Sequence, residues 1–169
     1  DTCDALSSYK TMEEKLEILK DSHAGAFAIL MGCCYFVLDY GVFHAVDLRA
    51  IRLLAIGYVL SRAFSGLAIV VFKKARKSGL AATFSDSAQK KTVAVTMILY
   101  IIVCAVLMVL TDPVIGSLCF LTALLVFGWY RYMSYQKFGG ITGDLAGFFL
   151  QVCELAMAFV TVIAIHLIG

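Results

Sequence analysis

The chain has 169 residues, of which 62% are hydrophobic and 15% charged, with one proline and a mean hydropathy of +0.91. That balance excludes an ordinary soluble domain and fits an integral membrane protein. The formal net charge of +2 excludes little by itself, and no nucleic-acid partner is expected.

The chain opens on Asp1-Thr-Cys-Asp4-Ala5-Leu6, an acidic, helix-like stretch with no methionine before it. No cleavable signal peptide is recognisable, because residues 1–10 are acidic and polar where a basic region and an apolar core would be needed. The abrupt start leads us to expect that an N-terminal part of the natural protein precedes it. Asp1 and Asp4 are three residues apart, so on a helix they share a face. Such a pair can grip a magnesium ion, which takes one or two carboxylates plus water and phosphate oxygens. The plainer reading is a solvated face favoured by the helix dipole.

Residues 11–24 form an expected amphipathic helix on the cytoplasmic face, with Met12, Leu16 and Leu19 on one side and Glu13, Glu14, Glu17 and Lys20 spread elsewhere. Thr11 followed by Glu14 is a capping box, in which each side chain satisfies a backbone N–H left free in the first turn. The helix is expected to end near Ser22-His23-Ala24-Gly25. Lys20-Asp21-Ser22 places a cation, an acid and a hydroxyl at the membrane surface, a candidate phosphate and metal cradle or simply the polar end of a helix.

Five segments are long and apolar enough to cross a hydrocarbon core that needs roughly 20 helical residues: about 25–46, 48–72, 92–110, 114–133 and 145–168. Asp39 lies in the first, near its outer end, and is taken as structural. Arg62 in the second and Glu154 in the fifth are the costly residues, since intramembrane charges mark a partner or a polar cavity. Both sit about 15 Å below the cytoplasmic surface at 1.5 Å per residue. Equal depth permits a salt bridge, either as a clamp between helices or as part of a substrate cavity.

The 73–91 loop carries Lys73, Lys74, Arg76, Lys77, Lys90 and Lys91 against Asp86 alone, so it belongs in the cytoplasm. The turn at Thr111-Asp112-Pro113 has no positive charge and belongs outside. Alternation then puts residues 1–24, 73–91 and 131–143 on the cytoplasmic side. There stands Gly139-Gly140-Ile141-Thr142-Gly143-Asp144, whose glycines let backbone approach a ligand and whose following helix offers free N–H groups to phosphate. Asp144 would oppose a bare phosphate, and a bridging metal ion reconciles the two. The alternative is a flexible turn with Thr142 or Asp144 as N-cap. The six cysteines include no Cys-x-x-Cys and have no histidine at ligand spacing, so neither a zinc site nor a disulfide framework is indicated.

Asp1-Thr-Cys-Asp-Ala-Leu, Lys20-Asp-Ser-His-Ala-Gly25 and Gly139-Gly-Ile-Thr-Gly-Asp144, in that order and followed by Glu154, resemble the cobalamin synthase family, the adenosylcobinamide-GDP ribazoletransferases. Leu60-Ser61-Arg62 is also similar to the family pattern. The resemblance implies an enzyme in cobalamin biosynthesis at a prokaryotic cytoplasmic membrane, joining adenosylcobinamide-GDP to alpha-ribazole or its 5'-phosphate with release of GMP. It also implies that residues 1–169 are the C-terminal part of a longer family protein. The fold expected is all-α, a polytopic membrane helix bundle of about five transmembrane helices plus a cytoplasmic interfacial helix, within the lipid bilayer.

Attack on a pyrophosphate needs positioning and charge neutralisation more than covalent help. Asp1, Asp4 and Asp144 are therefore the candidate ligands of Mg2+, and Lys20 or Arg62 the phosphate contact. Asp21 is the candidate to orient or deprotonate the attacking hydroxyl. Ser22, Gly139, Gly140, Thr142, Gly143 and Glu154 are the candidate substrate-binding residues, and the 73–91 loop either covers the GDP end or merely sets topology. Assembly into a homo-oligomer is left open. A small transporter or channel subunit lined by Arg62, Glu154 and Asp39 is the competing reading. It needs polar groups at successive depths, whereas the third and fourth spans carry none in their cores. A phosphotransferase for lipid alcohols is a third.

Overall fold

Three of the long helices begin where the sequence supplies a side-chain cap. In the computed structural model, which describes residues 1–21, 23–76 and 90–168, the helices are α1 (Thr2–Ser7), α2 (Met12–Ile18), α3 (Ala26–His44), α4 (Leu48–Val71), α5 (Lys90–Thr111), α6 (Pro113–Phe138) and α7 (Gly143–Ile168). Asp47 caps α4 by accepting the Ala50 N–H at 2.7 Å. Asp112 caps α6 by accepting from Val114 and Ile115 at 3.1 and 2.8 Å, with Pro113 placed where its missing N–H costs nothing. The capping box on α2 is present, Thr11 and Glu14 each satisfying the other's backbone. Among the described residues the only sheet-like feature is a parallel bridge between Lys74 and Ile141.

Helices α3 to α7 are each long and apolar enough to span a membrane, as expected for an all-α bundle. Two boundaries differ from the sequence expectation. Helix α2 stops at Ile18, well before residues 22–25, because Lys20 and Asp21 turn back to the carbonyls of Glu17 and Ile18. Helix α6 runs on to Phe138, ended by Gly139 with φ +70°, a left-handed conformation that favours glycine. Ser22 and most of the basic loop lie outside the described residues.

Helices α4 and α7 form the centre, with α5 and α6 packed against them. Leu53, Leu60, Phe149 and Met157 are fully buried there. An aromatic chain binds the half of the bundle nearer the glycine-rich turn: Phe64 stacks on Phe127 at 4.7 Å, Phe127 on Phe72 at 5.2 Å, and Tyr130 on Phe149 at 4.9 Å. Helix α3 stands apart, packing mainly on α1 and α7, and Val42 is its only buried residue. At the opposite end Arg49 pairs with Asp112 and ties the start of α4 to the α5–α6 turn.

Helix α2 is held by Arg76, whose guanidinium donates to the Leu16 carbonyl. Its expected apolar face is only partly what the sequence suggested, since Leu19 and the stem of Lys15 are buried while Met12 is exposed. All six cysteines are free.

Candidate functional site in the α3–α7 cleft

Because α3 stands off from the bundle, a cavity of about 680 Å³ opens between it and α7. Asp1, Thr2 and Cys3 from the start of the chain and Asp144 from α7 form its polar end, while Tyr35, Leu38, Phe148 and Phe159 are among its apolar walls and Gln151 lines it further along α7. The cavity thus has carboxylates at the end where the glycine-rich turn lies and hydrocarbon further in, suited to an amphiphilic ligand. Burial pushes the Cys3 thiol up, with Asp4 adding to the effect, so it stays protonated.

Asp4 is not among the lining groups. The first turn of α3 has no cap of its own at Gly25, and four N–H groups at a helix start need partners. Asp4 supplies them from across the fold: Oδ2 accepts from Gly25 at 2.8 Å, and Oδ1 from Phe27 and Ala28 at 3.0 and 3.1 Å. A side chain at position 25 would put its Cβ 2.6 Å from Asp4 Oδ1. The first two sequence motifs are therefore brought together, with Asp4 and Gly25 as the contact. Spacing alone gave no sign of this. Asp1 and Asp4, expected to share a task, part company: Asp1 faces the cavity and Asp4 faces the α3 N-terminus.

The third motif is shaped by backbone. Ile141 N–H donates to the Lys73 carbonyl and Ala75 N–H to the Ile141 carbonyl, both at 2.9 Å. A Cβ at Gly140 would sit 2.5 Å from the Lys73 oxygen. The close approach that Gly140 permits is thus to the backbone of residues 73–75. Lys73 N–H also donates to the Tyr135 hydroxyl at 2.8 Å. Thr142 caps α7, its hydroxyl accepting from Leu145 at 3.2 Å, which leaves Gly143 and Asp144 exposed in the first turn.

Lys20 and Asp21 are exposed on the segment entering α3, outside the cavity lining. Lys20 pairs with Glu17. Asp21 accepts from the His23 backbone at 3.0 Å and meets His23 Nδ1 at 2.7 Å. The backbone bond first, then the ring, holds the Asp21 carboxyl below the usual carboxylate range, making it a weak base.

The Arg62–Glu154 pair expected from equal depth is present. Ser61, fully buried, lies 2.7 Å from Glu154 Oε1 and accepts from Arg62 Nη1 at 3.0 Å. Glu154 is ten residues along α7 from Asp144, about 15 Å. The pair is thus well removed from the carboxylates at the cavity mouth, and neither partner lines the cavity.

Two carboxylates on one cavity suit magnesium, which completes its octahedron with water and substrate phosphate. They do not make a cage by themselves: among the described residues no group of three or more His, Cys, Asp or Glu side chains comes together.

The sequence profile described as Cobalamin-5-phosphate synthase matches residues 1–162. A protein from Lachnoclostridium phytofermentans named adenosylcobinamide-GDP ribazoletransferase is 48% identical over 97% of this chain and 63% of its own length. Proteins of the same name from Geobacillus sp. and Treponema denticola are each 31% identical, over 91% and 93% of this chain and 60% and 65% of their own lengths. The chain spans about three fifths of the length of these relatives. No solved structure matches it.

Proposed function

Since this chain belongs to the cobalamin-5-phosphate synthase family, we propose that the full protein transfers the cobinamide phosphoryl group of adenosylcobinamide-GDP to alpha-ribazole or its 5'-phosphate. The ribazole hydroxyl oxygen forms a bond to the corrinoid-linked phosphorus. The P–O bond of the pyrophosphate breaks, GMP leaves with the electron pair, and the hydroxyl proton passes to a nearby base or water. The observation that carries the reading is the α3–α7 cavity with Asp1 and Asp144 at its polar end.

Its apolar walls bind and orient the bulky part of a substrate, and its polar end receives the diphosphate. Asp1 and Asp144 are the groups suited to magnesium, which when bound would neutralise charge on the phosphates and the departing GMP. Asp4 fixes α1 against α3 and so sets where Asp1 stands. Asp21, a weakened base beside His23, orients the attacking hydroxyl better than it could deprotonate it. Lys20, outside the cavity lining and paired with Glu17, would contact phosphate only after leaving Glu17; Arg62, about 15 Å deeper, serves elsewhere. Lys73, Lys74 and Arg76 sit beside the glycine turn through the bridge to Ile141, which by the positive-inside rule turns the cavity mouth to the cytoplasm.

GMP release from adenosylcobinamide-GDP plus alpha-ribazole, measured with membranes bearing the full-length protein with and without magnesium, tests the reading. Magnesium-dependent release lost in Asp144→Asn supports it. No release from the wild type sinks it.

A further inference from the structure

Arg62 is 57% exposed in a membrane-spanning helix, although its partner Glu154 is only 11% exposed. The guanidinium engages the protein through Nη1 alone, donating to Glu154, to Ser61 at 3.0 Å and to the Tyr58 carbonyl at 3.4 Å. Among the described residues no acceptor meets Nε or Nη2, the edge from which arginine makes its paired hydrogen bonds. Escape to the headgroups is blocked. The residue lies ten positions from the C-cap of α4 at Phe72, about 15 Å, and its guanidinium is drawn further inward over the Tyr58 ring, 5.8 Å from the centroid. Acyl chains at that depth offer no acceptor.

The surrounding face of α4 is exposed as well: Ile51, Ala55 and Val59 share it at helical spacing. We propose that this face seats a further membrane helix of the full-length polypeptide, one that brings a neutral acceptor, an amide or hydroxyl oxygen, to the free edge of Arg62. Glu154 already balances the charge, so hydrogen bonding is what remains to be supplied. The occupant follows from length. The matched region is 63% of the Lachnoclostridium phytofermentans relative, so more than a third of such a polypeptide has no counterpart among the helices described here. Ser61 and Glu154 are then positioning residues that hold Arg62 for its partner helix. This inference goes beyond the proposed reaction and does not need it.

The test uses the full-length protein in nanodiscs with a photo-reactive benzoylphenylalanine at Val59, and at Leu99 on the exposed side of α5 as control. The expected result is an intrachain crosslink from position 59 to a peptide outside these 169 residues, with position 99 labelling lipid. Lipid labelling alone at position 59 overturns the proposal. So does a crosslink to an isotopically labelled second copy, or one to residues within this chain. If the Val59 variant fails to fold, Ala55 carries the same probe. The GMP-release assay decides the transferase reading separately, so either can fail without the other.

Discussion

Asp4 and Gly25 are 21 residues apart in sequence and in contact in space, the Gly25 N–H donating to Asp4 Oδ2 at 2.8 Å. The contact joins α1 to the free start of α3 and fixes one wall of the cavity.

Gly25→Ala is expected to destabilise the protein by about 1–3 kcal/mol, because the added methyl meets a carboxylate already held by three N–H groups. Asp4→Ala should cost about 1–2 kcal/mol, the range of a lost N-cap, and Asp4→Asn less, since it keeps one acceptor. Thermal unfolding in detergent checks all three. Asp4→Asn as unstable as Asp4→Ala would show that the cap is not what Asp4 provides.

On the proposed reading, replacing Asp144 by Asn should lower GMP release by the full-length protein roughly 100-fold, because charge neutralisation by a metal held there would be worth several kcal/mol. Asp144 is exposed in the first turn of α7, so melting temperature should change little. An equal loss of stability and turnover would point to folding rather than chemistry.

Gly140→Ala should break the bridge between residues 73–75 and Ile141, since its Cβ would overlap the Lys73 carbonyl. Backbone amide exchange at Ile141 and Ala75, protected in the wild type by the two 2.9 Å bonds, is the direct measurement. Unchanged protection would refute this account of the glycine.

Glu154→Gln leaves Arg62 without its counter-charge, and Arg62→Gln leaves a carboxylate unpaired in a low-dielectric setting. Each single change is expected to be more destabilising than an additive estimate from the double variant implies. A double-mutant cycle that closes to zero coupling would rule out an energetic role for the pair.

Burial works against the charged form of Asp112, but the Ile115 N–H and the Arg49 guanidinium outweigh it and hold the carboxyl below its ordinary value. A depressed native pKa contributes stability that is present above the unfolded value, about 3.9, and lost as pH falls through the native one. Acid unfolding of Asp112→Asn should accordingly be flatter than that of the wild type below about pH 4. Parallel curves would show the pair adds nothing.

Hydropathy determined the five spans, and local chemistry determined three of their starts, because a cap such as Asp47, Asp112 or Thr142 acts within three residues of itself. The depth of Arg62 and Glu154 was legible for the same reason: a helix rises by a fixed amount per residue. What the motifs do was less legible. Gly140 read as a residue opened to a ligand and proved to accommodate the Lys73 carbonyl, and Asp4 read as a partner of Asp1 and proved to cap α3. Nothing local distinguishes these uses. A carboxylate three residues from another satisfies the same spacing rule whether it faces a cavity or a helix end, and only the packing of α1 against α3 selects between them. The sequence by itself determined an all-helical membrane bundle with its charged motifs gathered at one edge, since periodicity and capping are properties of the chain. Tertiary structure alone decided that α3 stands away from α7 to open a cavity, and which acids face it, because those outcomes depend on contacts between segments far apart along the chain.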